Sequence, residues 1–413
     1  MSTEERKVPE LRFKGFNDDW EQRQLNDVVK FSKGKFYSKN DLVEDGNEVI
    51  LYGQLYTNYQ TAISYSDTKV IPKPNSVYSI GKEVIIPSSG ESAEDISIAS
   101  SIIASGIIIA GDLNILTPLN TLNNTFLALA LSNGKSKKEL SKYAQGKSIV
   151  HLHGKDFRKL ILKYPNLNEQ IKIKEFVLRL DNLINLHQRK ISKLLKLQQQ
   201  FSKLLLVKSS HDNLKLRFKY FKSKWVLHKL SELAPLRGGY AFKSNEFQHQ
   251  GIPIIRISNI LSNGKIDGDF VYSKKLSRDN HVTLSENDIL IAMSGATTGK
   301  TAIIQENHNR LYYQNQRVGY FTKLDGVSYE FINVLVKSAL FNIQLKSVLV
   351  AGAQPNISAK DIDNFEFYIP EQDEERKLIG QLYNNVTKII QISQKRLDSL
   401  MLLKKEYLNK IFI

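Results

Sequence analysis

The chain repeats itself. Arg12-Phe13-Lys14-Gly15-Phe16, followed by Trp20, returns 205 positions later as Arg217-Phe218-Lys219-Tyr220-Phe221, followed by Trp225; these are the only two tryptophans. The same separation pairs Leu25 with Leu230, Gly34 with Gly239, Tyr37 with Phe242, Asn40 with Asn245 and Gly46 with Gly251. It carries Val84-Ile85-Ile86 onto Ile289-Leu290-Ile291, Ser89-Gly90 onto Ser294-Gly295, Lys155-Asp156 onto Lys360-Asp361, Pro165 onto Pro370 and Glu169 onto Glu374. So long a series in one register marks an internal duplication. Whatever the fold, it has to be built twice.

Each copy ends in a stretch that reads as one long helix. Residues 169–207 contain no Gly or Pro, and Ile173, Phe176, Leu180, Leu183, Ile191, Leu194, Phe201 and Leu204 recur at helical spacing. Such a helix would be roughly 60 Å long, more than the core of an ordinary domain needs. Residues 374–413 repeat the pattern with Leu378, Leu382, Val386, Ile389, Leu397, Leu400, Leu403 and Tyr407. Here Leu183, Leu194 and Phe201 fall on Ile389, Leu400 and Tyr407, a separation of 206, so one residue has been gained or lost inside the helices. Phe176, Leu180, Leu183, Ile191, Leu194, Phe201, Val386, Ile389, Leu397, Leu400 and Tyr407 form the candidate subunit-interface set.

The remainder reads as two strand-rich mixed modules, an α+β organisation. Residues 45–54, 251–259, 82–87 and 288–293 are short apolar or β-branched runs bounded by turn residues. One helix per module is expected, at 124–132 and 329–344. Pro165 and Pro370 end the last strand of each module before an acidic stretch opens the helix. The expected domains are 1–166 and 209–370 for the modules and 167–208 and 371–413 for the helices, with a linker at 209–213. Residues 51–80 and 98–150 hardly resemble 256–284 and 303–355, so the frame is shared while the centres differ.

Charge narrows the function. The 413 residues carry 58 Lys+Arg against 42 Asp+Glu, a net charge of +16, which favours a polyanionic partner, nucleic acid above all. The absence of cysteine removes disulfides, Cys-based metal sites and thiol nucleophiles. The first ten residues are polar and charged, unlike a secretory signal, and the most apolar run, 96–109, is interrupted by serines and too short to cross a membrane. A cytoplasmic protein without membrane partners is expected.

Catalytic chemistry is poorly represented. The run from Ser294 to Thr301 resembles a phosphate-binding loop, but its first position is Ser rather than Gly and the first copy, Ser89-Gly90-Glu91-Ser92-Ala93, has no likeness to it. A structural turn, or a loop whose amides and Lys300 meet a nucleic-acid phosphate, fits better. Glu375-Arg376-Lys377 sits where acidic residues favour a helix start. His151 and His153 have no further ligands at metal spacing, and their counterparts are Asn356 and Ser358. No catalytic residue and no metal site is assigned.

Binding chemistry is richer. Lys33, Lys35, Tyr37, Tyr52, Gln54, Tyr56, Ser88, Ser89 and Lys147 in the first copy are candidate DNA contacts. In the second they are Arg237, Tyr240, Lys243, Arg256, Ser258, Asn259, Ser294, Thr297, Thr298, Lys300, Gln316, Arg317, Gln354 and Asn356. Arg and Lys pair with guanine edges, Asn and Gln with adenine, while hydroxyls and amides hold phosphates.

Taken together, these features resemble the specificity subunit of a type I restriction-modification system over essentially the whole chain. The likeness rests on the repeated start at 12–20 and 217–225 and on D-I-L…S-G…T-G-K at 288–300. It also rests on Q-P-N-I-S-x-x-D-I at 354–362 and on the helix opening P…E-Q-x-K-I at 165–173. Residues 91–94 depart from the usual Thr-Ile-Gly-Lys, and Glu374-Glu375 from Glu-Gln. The resemblance implies two target recognition domains, each reading half of a split double-stranded DNA site. The two helices would pack as an antiparallel coiled coil with approximate two-fold symmetry. It implies no cofactor on this chain: two methylation subunits carry S-adenosylmethionine, and two restriction subunits use ATP and Mg2+. The alternatives are a stand-alone two-module nucleic-acid-binding protein, which needs no partner, and an enzyme holding a nucleotide at Lys300 and Thr301.

Overall fold

A computed structural model describes residues 8–144, 149–204, 206, 216–276, 281–305, 310–350 and 356–412. The linker at 209–213, Lys147 and Gln354 lie outside the described residues. Both copies are mixed helix-and-sheet modules, and each is followed by a long helix, Leu167–Leu204 (the central helix) and Asp373–Ile411 (the last helix).

In the first module Glu21–Gln24 pairs antiparallel with Ile161–Tyr164, so the module's start is stitched to its end. One five-stranded sheet runs Val29–Lys33, Leu113–Pro118, Val84–Pro87, Ser100–Ile102, Ala62–Ile63. A second runs Leu42–Val43, Lys69–Val70, Asn47–Ile50, Ser105–Ile109, Tyr78–Ile80. In the second module Trp225–Lys229 pairs with Glu366–Pro370, and the two main sheets have four strands each. Val84–Pro87 and Ile289–Ala292 are buried at every position, as continuous apolar runs covered on both faces should be.

The duplication is closer in the backbone than in the side chains. Ile115 opposes Ile85 and Ser32, and Tyr320 opposes Leu290 and Arg237, each 205 residues on. Ile108 lies parallel to Val49 and antiparallel to Tyr78; Tyr313 stands in the same relation to Ile254 and Thr283. The frame therefore continues through 105–118 and 312–321, within the stretch that sequence comparison marks as divergent. A ladder needs only its amides and an apolar inward face, so side chains can drift while register stays. The register does move at the sheet margins: Asn47 opposes Val70, whereas Ile252 opposes Ser273, two residues short of the equivalent place.

Two helices, not one, follow in each module: Asn124–Ser132 with Gly134–Tyr143, and Tyr329–Val336 with Ala339–Val350. The expected helix at 329–344 is broken at Ser338, whose Oγ accepts the Phe341 N–H at 3.1 Å and so caps a new helix. In the first module Asn123 Oδ1 caps its helix through Thr125 and Phe126. The repeated glycines Gly34 and Gly239 have a steric cause. A Cβ would lie 1.8 Å from the Ala110 carbonyl oxygen at one and 2.4 Å from those of Gln314 and Asn315 at the other.

The chain divides into two compact units, Met1–Arg189 with Gln394–Ile413, and Lys190–Ser393, so each takes one end of each long helix. In the first unit Phe176 meets Tyr407 with ring centroids 4.2 Å apart, and Asp181 meets Lys404, so the two helix segments run antiparallel. Leu180, Ile191, Val386 and Leu397 are buried, and Phe176, Leu194, Phe201, Leu400 and Tyr407 are half-buried. Leu183 and Ile389 instead face solvent at 45% and 43% exposure.

The same ion pair anchors each helix to its module. Arg12 donates through Nε and Nη2 to Glu169 at 2.8 and 2.7 Å, and Arg217 donates to Glu375 at 2.8 Å through both nitrogens. Bidentate donation raises both arginine pKa values, against the opposing effect of burial. Glu169 therefore matches Glu375, not Glu374. The extra residue lies between Pro370 and Glu375 at the helix start, not inside the helices.

Candidate nucleic-acid interface

Several of the described candidate residues lie on or beside one set of loops in each module, tied by backbone bonds that repeat between copies. Ser88 donates its N–H to Asp112 O and accepts from Leu152 N; Met293 donates to Arg317 O and accepts from Ile357 N. Ser89 lies opposite His151 and Ser294 opposite Asn356. Lys35 N–H reaches Ile109 O, and the Phe36 carbonyl accepts from Gly111; Tyr240 exchanges backbone bonds with Gln314 and Gln316. The loops near 35, 89, 112 and 151, and near 240, 294, 317 and 356, are thus contiguous.

At matched positions these loops present different chemistry. Asp112 stands where the second module has Arg317, and both are exposed; His151 stands where it has Asn356. Asp112 and His151 are absent from the candidate set read from sequence, although the 205-residue separation from Arg317 and Asn356 would have located them. The turn after Val84–Pro87 also differs. In the first module Ser92 Oγ caps a short helix, Ala93–Ile96, with Glu94 and Asp95 in its first turn. In the second a 3-10 turn, Gly295–Thr297, carries no acid. Acidic side chains repel phosphate, so the two loops favour different contacts.

The candidates separate by exposure. Lys33, Lys35 and Tyr52 in the first module, and Tyr240, Lys243, Ser258, Gln316, Arg317 and Asn356 in the second, are exposed. Others are turned inward and hold the loops. Gln54 accepts from Leu51 N–H through Oε1 and donates to Ser66 and Thr68. Its counterpart Asn259, 1% exposed, accepts from Arg256 N–H and donates to Asp267 and Asp269 carbonyls. Tyr37 is buried; its hydroxyl accepts from Lys73 N–H at 2.6 Å and bonds Ser76, with Lys73 over its ring. Tyr56 donates to Ser89 O, and burial pushes its pKa up.

Arg237 stacks 4.6 Å from the Tyr320 centroid and donates to Thr283 O and Gln314. Burial first, and the Asp288 charge second, raise the Tyr320 pKa to about 12. Arg256 donates to the Asp269 carbonyl. Thr297 and Thr298 donate to Ile257 O and Gly295 O. Ser88 and Ser294 are buried, Ser89 and Lys300 half-buried.

Two other readings meet the geometry. A nucleotide-binding loop requires a helix after its lysine, but Lys300 runs straight into a strand, Thr301–Ile303. His151 and His153 are exposed and stack 6.3 Å apart; among the described residues no cluster of three or more His, Cys, Asp or Glu could hold a metal ion. No helix among the described residues is long and apolar enough to cross a membrane.

Known proteins share this architecture. The chain is 25% identical over 409 residues to the type I restriction enzyme MjaVIII specificity subunit of Methanocaldococcus jannaschii, covering 95% of this chain and 92% of that one. It is 25% identical over 191 residues to the StySPI specificity subunit of Salmonella potsdam, covering 44% and 40%. The crystal structure of the type I restriction-modification S subunit from M. genitalium superposes with TM-score 0.69 at 16% identity, covering 98% of this chain and 99% of that one. A chain from a study of type I restriction-modification complex assembly superposes with TM-score 0.52 at 15% identity, covering 96% and 98%. The model of the type I restriction modification DNA specificity domain matches twice, at residues 17–196 and 222–402. With two such domains across most of its length, the chain belongs to the type I restriction-modification DNA specificity family.

Proposed function

We propose that this chain gives a type I restriction-modification enzyme its address, each module reading one half of a split double-stranded target. The observation that carries this is the pairing of a shared central-strand register with unlike side chains at matched loop tips, Asp112 with Arg317 and His151 with Asn356. A common frame with different tips is what two different half-sites require. Lysines and arginines around the loops supply salt-dependent phosphate affinity, and a few exposed side chains discriminate bases at about 1–3 kcal/mol per bidentate pair.

The long helices carry a second repeated feature. Leu183, Leu186, Leu195 and Leu197 are exposed, and so are Ile389, Ile392, Met401 and Leu403, each 206 residues on. Each unit thus bears the same apolar set, suited to two copies of one partner. In this proposal the partners are two methylation subunits, which bring S-adenosylmethionine, joined in the full enzyme by two restriction subunits using ATP and Mg2+. The repeated apolar set favours this over a stand-alone binding protein.

The helices would then set the gap between half-sites. Inserting one helical turn, about four residues, into both long helices is expected to change the preferred gap while leaving both half-sites intact. A changed half-site with an unchanged gap would refute that role.

A further inference from the structure

The 206-residue relation between the long helices carries a chemical asymmetry. In the first unit Lys404 Nζ donates to Asp181 Oδ1 at 2.5 Å, and Asp181 Oδ2 accepts from Thr61 Oγ1 at 2.8 Å. The equivalents of Asp181 and Lys404 are Thr387 and Gln198. In the second unit these two also meet, Gln198 Nε2 donating to Thr387 Oγ1 at 2.6 Å. One cross-helix contact occurs in both units, as an ion pair in the first and as a neutral amide–hydroxyl bond in the second.

Duplication creates an ambiguity that this difference resolves. The apolar stripes of the two helices are equivalent: Leu180 matches Val386, Ile191 matches Leu397 and Phe201 matches Tyr407. Packing alone would let the central helix pair with the last helix of its own chain or with the central helix of a second copy. Pairing two central helices sets each Asp181 against a Gln198; pairing two last helices sets each Lys404 against a Thr387. Both charges then lose their opposite, at side chains only 21% and 20% exposed. An uncompensated charge at such a site is costly, and a lone polar contact is a known way to fix which helices pair.

We propose that the Asp181–Lys404 pair selects pairing between the central and last helices of one chain over pairing with a second copy. The Gln198–Thr387 contact, being neutral, adds no such selection.

The test uses the intact chain, refolded from denaturant at high concentration as a mixture of two differently tagged copies, with mixed dimers measured by co-purification and sedimentation velocity. Asp181→Lys and Lys404→Asp singly are expected to raise the mixed-dimer fraction by about fivefold or more, and the double exchange to return it to the parent level. Thr387→Val should leave it unchanged. Because a charge reversal can simply unfold the first unit, Asp181→Asn with Lys404→Gln gives a neutral contact like that of the second unit, expected to fold yet also raise the mixed-dimer fraction. If this neutral variant keeps the parent distribution, or the single reversals lower the melting temperature without adding dimers, the pair is a stabilising contact only and the proposal fails.

Discussion

Arg217 grips Glu375 through two nitrogens at 2.8 Å, and the glutamate is 1% exposed at its side chain. The contact reproduces Arg12 with Glu169 and fixes where the two copies slip out of step. Removing one partner of such a pair leaves the other charge unpaired in a desolvated place, at a cost of about 3–5 kcal/mol. Glu375→Ala and Arg217→Ala are therefore expected to lower the melting temperature of the second unit clearly, while Glu374→Ala, at the exposed neighbour, leaves it nearly unchanged. Equal effects at 374 and 375 would refute the pairing.

The last helix passes close to the helix that starts at Tyr329. A Cβ on Gly380 would lie 2.6 Å from Glu330 Cβ and 2.7 Å from backbone atoms of 330 and 331. Alanine would otherwise favour a helix interior, by up to about 1 kcal/mol over glycine. Here overpacking wins, and Gly380→Ala is expected to destabilise by about 1–3 kcal/mol in denaturant unfolding. A stabilised variant would contradict the close approach.

Lys337 is half-buried, and desolvation of its ammonium lowers its pKa. The unfolded chain then holds a proton more tightly than the folded one, so stability rises as pH climbs from the lowered folded value towards the ordinary 10.5. Replacing Lys337 by Met is expected to raise the melting temperature at neutral pH and to flatten its rise on the alkaline side. An unchanged alkaline slope would remove Lys337 as its cause.

Arg317 and Asp112 occupy the same place on different modules. Arg317→Ala is expected to weaken binding and to relax base preference only in the half-site read by the second module. Asp112→Ala should alter only the other half-site. Selection from a randomised duplex pool measures both, and a single variant that changed both half-sites would contradict separate reading by the two modules.

Much of this architecture was legible in the sequence because duplication prints every structural necessity twice. Gly34 and Gly239 recur because a carbonyl leaves no room for a Cβ, and the tryptophans recur because both are buried in a core. What stayed hidden has physical reasons. The ladders through 105–118 and 312–321 match in register, but backbone bonds leave no trace in side-chain identity. Gln54 and Asn259 read as candidate DNA contacts, yet they satisfy loop backbone atoms from within, and composition cannot tell the two uses apart. Leu183 and Ile389 fit the helical stripe by spacing but face outwards, because a stripe of this width has an edge.

The most direct measurement is the adenine methylome of cells carrying this gene with a partner methylation gene, compared with a strain lacking this gene alone. The account predicts that one split motif, two half-sites at a fixed gap, disappears with the deletion, and that exchanging residues 17–196 for those of a relative replaces one half-site and keeps the other. Survival of that motif after deletion, or replacement of both half-sites by the single exchange, would contradict it.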